Sequence, residues 1–170
     1  MSKLIAIDPG LRCSGVAFFV NGKLERAFLA RGSKAAGTQA WLDMAKAIKQ
    51  ECIEYAEIDK FDELVLEFPQ VYRSKYQKGD PNDLLQLAAV VGVIAATGFY
   101  TKINYFLPRE WKGQVTKEIT EARVKKKLSK EELGRIELTK NKKLNTNIWD
   151  AIGIGIYYLN GSRALPTKEN

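Results

Sequence analysis

Apolar residues early in this chain form short runs, and later ones recur at helical spacing. Runs over residues 4–7, 15–20 and 23–30 read as strands, and Asn21-Gly22 between the last two is the dipeptide of a two-residue hairpin turn. The pattern predicts an antiparallel meander of three strands. Over residues 38–56, Trp41, Ala45, Ile48, Cys52 and Tyr55 recur every three or four positions, which predicts a helix. A short strand over 63–67 follows, stopped by Pro69. Strand, helix and strand in that order imply a right-handed crossover, with the fourth strand parallel to the first and both C-terminal ends on one edge. Beyond lie a predicted helix over 82–99, a fifth strand over 103–107, basic helical material to residue 143, and a helix over 146–159 with Thr146 as its N-cap. Polar residues 70–81 read as a long loop, and such loops are often functional.

Composition narrows the chemistry. A chain of 170 residues with 45% hydrophobic and 28% charged residues is expected to form one domain, here residues 1–160, followed by a flexible tail over 161–170. Histidine is absent, which removes Ser-His-Asp and Cys-His nucleophiles and every His-based zinc site. Two cysteines, Cys13 and Cys52, make neither a metal cluster nor a disulfide framework, and with no secretory signal the expected location is cytoplasmic. An uncharged stretch, residues 84–100, falls short of the roughly 20 apolar residues of a membrane span. The net charge of +7 is concentrated. Residues 102–143 carry 13 Lys and Arg against 6 Glu and no Asp, while acids and bases cancel elsewhere. That imbalance fits either a polyanion contact or a solvated helical face.

Three carboxylates stand out against this background. Asp8 ends the first strand before Pro9-Gly10, and Glu67 ends the fourth before Phe68-Pro69, so both are expected at the edge where α/β sheets place ligands. Like charges that close repel unless a cation lies between them. Asp150 is a lone charge in an otherwise apolar stretch, where burial without a partner is costly. A first-turn aspartate favoured by the helix dipole is the bland explanation. Gly153 and Gly155 are expected to let this helix lie close to the sheet, and Asn147, on the same face as Asp150, is a candidate neutral oxygen ligand. Oxygen donors without His or Cys suit Mg²⁺, with Mn²⁺ as a substitute. Two such ions about 4 Å apart can hydrolyse a phosphodiester.

The segments IAIDPGLRCSGVAFF, VLEFPQVY and NIWDAIGIGIYYL, spread over nearly the whole chain, resemble the RuvC family of Holliday junction resolvases. The resemblance implies an α/β ribonuclease H-like fold, a five-stranded mixed sheet flanked by helices. It also implies a homodimer acting on four-way DNA junctions, with Asp8, Glu67 and Asp150 as metal-binding catalytic acids and two ions per centre. The family usually carries an acid or a histidine where this chain has Asn147, so weaker occupancy of one metal site is expected. LPREWKGQVTKE resembles the family's basic region, which places Lys112 and Lys117 near the scissile phosphate, with Lys117 assigned a catalytic role. Arg12, Tyr72, Arg73, Lys75, Lys78, Arg109, Lys112 and Lys117 are the expected DNA contacts, and Tyr72 is the expected stacking residue, in a loop mixing aromatic and basic side chains. The 82–99 helix, rich in small residues, matches the family's dimer element. The competing readings are a ribonuclease H-fold nuclease for flaps, general branched DNA or RNA–DNA hybrids, and a junction-binding protein that does not cut.

Overall fold

The computed structural model describes residues 1–56, 60–71, 80–113 and 115–161. Three strands open the chain: β1 (Lys3–Asp8), β2 (Cys13–Val20) and β3 (Lys23–Arg31). They pair antiparallel, and Asn21 and Gly22 take φ of 49° and 78°, the left-handed pair that a two-residue hairpin requires. Helix α1 (Gly37–Ala56) leads to β4 (Phe61–Glu67), and α2 (Pro81–Ala96) leads to β5 (Tyr100–Phe106). The sheet order is β3-β2-β1-β4-β5, with β4 parallel to both β1 and β5. This is the predicted five-stranded mixed sheet.

Period-two alternation in the central strands sorts the core into two layers. Ile5 and Ile7 of β1 and Leu64 and Leu66 of β4 face Met44, Ile48 and Cys52 of α1 and Val91 and Ile94 of α2. Leu4, Ala6 and Val65 face the other way, onto the last helix, α6 (Lys142–Leu159). Burial pushes the Cys52 thiol up to about 12, which keeps it an inert core residue. Among the described residues, no helix is long and apolar enough to cross a membrane.

Several boundaries differ from the sequence expectation. Helix α2 stops at Ala96 because Gly98 turns the chain at φ 67°, and β5 starts earlier, on polar residues of a sheet edge. The basic segment is three short helices, α3 (Pro108–Trp111), α4 (Lys117–Lys125) and α5 (Lys130–Leu133). Residues just after α5 cover the open edge of β3: the Ala27 N–H donates to the Arg135 carbonyl and the Glu137 N–H donates to the Ala27 carbonyl. Helix α6 begins at Lys142, with Asn141 rather than Thr146 as N-cap, its side chain accepting from the Lys143 N–H. Asp150 therefore lies beyond the first two turns, where the helix dipole no longer explains it.

Candidate active site

Strand pleat delivers two of the three acids to one face. Asp8 continues the Leu4–Ala6 series of β1 and Glu67 follows Val65 in β4, so both side chains emerge on the α6 side. Ile7 pairs with Leu66 in the parallel register, which leaves Asp8 and Glu67 level at the C-terminal ends of neighbouring strands.

Close backbone approach supplies the third. Gly15 is the partner of Asp8 across β1 and β2, and a Cβ on Gly15 would stand 1.8 Å from the Asn147 carbonyl oxygen. Only a glycine lets α6 lie this near, one turn before Asp150. Asn147 clamps the same contact: its Nδ2 donates to the Cys13 carbonyl at 3.2 Å, and its Oδ1 accepts from the Thr146 hydroxyl at 3.4 Å. A carboxylate at this position would meet the Cys13 carbonyl with no hydrogen to give, which accounts for an amide here. Gly155 brings α6 onto Phe19 and Ala6 of the sheet, as expected. Gly153 serves a different end, making room for the Trp111 ring, whose Cζ3 would lie 2.6 Å from an added Cβ.

Between two of the three acids stands Lys112. Its Nζ lies 2.9 Å from Asp150 Oδ2 and 3.2 Å from Glu67 Oε2, with its side chain 21% exposed. Trp111, fully buried, donates its indole Nε1 to the same Glu67 Oε2 at 2.7 Å. Sequence reasoning did not single out Trp111. The available signal was a tryptophan standing alone in a basic segment, since a buried indole N–H usually finds a partner.

Electrostatics marks these groups as a set. Burial raises the Asp8 carboxyl well above its ordinary value; the Glu67 and Asp150 charges add to the rise, and Lys112 and Lys117 oppose it. Glu67 is also raised, chiefly by burial, against the pull of Lys112. Burial alone would lower Lys112, but the surrounding carboxylates outweigh it and the ammonium is held charged. Three acids face one half-buried cation, an excess of negative charge that a hard divalent ion would neutralise. Asp8, Glu67 and Asp150 could hold one by donor chemistry. Their arrangement is that of a lysine-bridged cluster, and among the described residues no three acidic or thiol side chains stand arranged as metal ligands.

The remaining expected contacts divide. Lys117 is exposed at the rim, its Nζ donating to Thr146 Oγ1 at 3.5 Å. Arg109 is exposed on α3. Arg12 is tied to the β3–α1 connection, its Nη1 donating to the carbonyls of Ser33, at 2.9 Å, and Ala35. Tyr72, Arg73, Lys75 and Lys78 lie outside the described residues. Phe68, next to Glu67, is 38% exposed and stands edge-on to Tyr105. Part of the basic surplus is engaged within the chain: Lys125 pairs with Glu121, and Arg135 pairs with Glu25 and Glu131.

Replacing Trp111 by Phe keeps the ring in its slot and removes the bond to Glu67. A hydrogen bond to a charged group contributes about 1.5–3 kcal/mol, so thermal unfolding should show a loss of that order. Any activity that depends on the orientation of the Glu67 carboxylate should fall about 10–100-fold.

No family model matches the sequence, and no curated protein matches it. Solved structures do match. T. thermophilus RuvC in complex with a Holliday junction substrate superposes with a TM-score of 0.62 at 16% identity, covering 95% of this chain and 98% of that one. A second Thermus thermophilus RuvC structure gives 0.58 at 18% identity, with 94% and 97% covered. The yeast mitochondrial Holliday junction resolvase Ydc2 gives 0.56 at 12% identity, with 93% and 79% covered. Sheet order, flanking helices and coverage together establish that the chain has the ribonuclease H-like fold of these RuvC-type resolvases.

Proposed function

We propose that this protein is a structure-selective endonuclease that resolves four-way DNA junctions by divalent-ion-dependent phosphodiester hydrolysis, leaving 5′-phosphate and 3′-hydroxyl ends. The observation that carries the proposal is the convergence of Asp8, Glu67 and Asp150, from two strands and a helix, on the α6 side of one sheet edge. The RuvC-like fold supports it. Asp8, Glu67 and Asp150 are the residues that would hold Mg²⁺ or Mn²⁺, and Asn147 Oδ1 is an added neutral donor. Bound divalent ions would supply activation of a water and stabilisation of the leaving oxygen. Trp111 fixes the orientation of the Glu67 carboxylate. Lys117, exposed beside the acids, is placed to neutralise a backbone phosphate, and Arg109 on α3 and Arg123 on α4 extend that contact along the strand.

The same reading expects a two-fold homodimer through α2, which carries Leu85 69% exposed beside small residues and would offer one centre to each of two equivalent junction strands. A panel of end-labelled four-way junction, flap, plain duplex and RNA–DNA hybrid, with and without Mg²⁺, tests the function. Paired nicks in the junction alone, only with Mg²⁺, are expected. Equal cutting of plain duplex would leave a nuclease that is not a resolvase, and junction binding without any product would leave a binding protein.

A further inference from the structure

Lys112 sits where a divalent cation would have to go. Its ammonium touches one oxygen of Glu67 and one of Asp150, on the two elements that flank Asp8. A second cation could not occupy that position without forcing like charges together at contact distance. The backbone beneath it is fixed: Trp111, the preceding residue, is fully buried against Gly153 and bonded to Glu67. The Lys112 side chain is partly exposed on a flexible four-carbon stem, so the ammonium can move while the main chain stays in place.

We propose that Lys112 is a tethered counter-ion that occupies the gap between Glu67 and Asp150 in the metal-free protein, so that divalent cation entry is an exchange in which the ammonium is displaced. The inference rests on the metal-dependent reading above and adds to it that this chain sets its own cation affinity. Without the lysine the carboxylates would repel one another across a buried gap, and the acid-bearing ends of β1, β4 and α6 would be held apart. With it, the cluster is assembled before metal arrives, and every divalent ion competes with a charge that is covalently attached. Once displaced, the ammonium stays within a side chain's length of the site, available to a substrate phosphate.

The test is calorimetric titration of the full chain with Mn²⁺ and with Ca²⁺, comparing wild type with Lys112→Met and Lys112→Gln, alongside thermal unfolding of each with and without the ion. Both variants should bind at least tenfold more tightly than wild type and show a larger rise in melting temperature on adding the ion. A variant that folds only when the ion is present gives the same result in its strongest form. Equal or weaker binding by both variants would overturn the inference while leaving the metal reading intact. If wild type and both folded variants take up no divalent ion, the metal reading itself fails, and the inference fails with it.

Discussion

Asp150→Asn and Asp8→Asn should each lower the rate of junction cleavage by about 10³-fold or more, the equivalent of about 4 kcal/mol in the barrier, while junction binding survives. The amide keeps the shape of the side chain and removes the charge that, in the proposed function, would hold the divalent cation. For Asp8→Asn the stability change should run opposite to the activity change. Burial and two neighbouring carboxylates raise the Asp8 carboxyl in the folded state above its unfolded value. Above the unfolded carboxylate range the folded protein therefore bears a cost for ionising this group, and that cost disappears below it. Asp8→Asn removes the cost, so the metal-free variant should melt higher than wild type at neutral pH, and the two should converge as pH falls through the unfolded carboxylate range. Thermal melts across pH in a chelator check this. A variant that is both inactive and less stable at neutral pH would mark Asp8 as a structural residue.

Gly15→Ala is the second large effect. The added methyl would lie 1.8 Å from the Asn147 carbonyl oxygen, and both sides of the contact are backbone, so no rotamer change relieves it. Overpacking of this kind costs about 1–3 kcal/mol or more, and the relief available is for α6 to move off β2. That movement carries Asp150 away from Asp8. Misplacement of a reacting group by about 1 Å can cost about 10²-fold in rate, so cleavage should fall by at least that much in protein that still folds.

The strand order and the two strand-end acids were legible because their signals are local. Apolar runs, an Asn-Gly turn and prolines after the acids specify β1 to β4 with little tertiary information. The start of α6 was not legible. Residues 142–147 are polar except for Leu144, and their helix is secured by side-chain bonds that a hydrophobic period does not register: Asn141 caps, while Asn145 Oδ1 accepts from the Thr139 N–H and hydroxyl. The role of the Lys112–Trp111 pair was hidden for another reason. Glu67 and Asp150 lie 45 and 38 positions away in sequence, and only the folded sheet and helix bring them to that lysine. Asn147 was read for its oxygen, whereas the structure also uses its N–H donor, which no spacing rule reveals.

Anomalous diffraction from a crystal grown with Mn²⁺ tests the central claim most directly. A Mn²⁺ peak bounded by the carboxylates of Asp8, Glu67 and Asp150 is expected, with the Lys112 ammonium withdrawn from between Glu67 and Asp150. A fully ordered site with Lys112 still bridging those two acids, and no Mn²⁺ among the three at millimolar concentration, would contradict it.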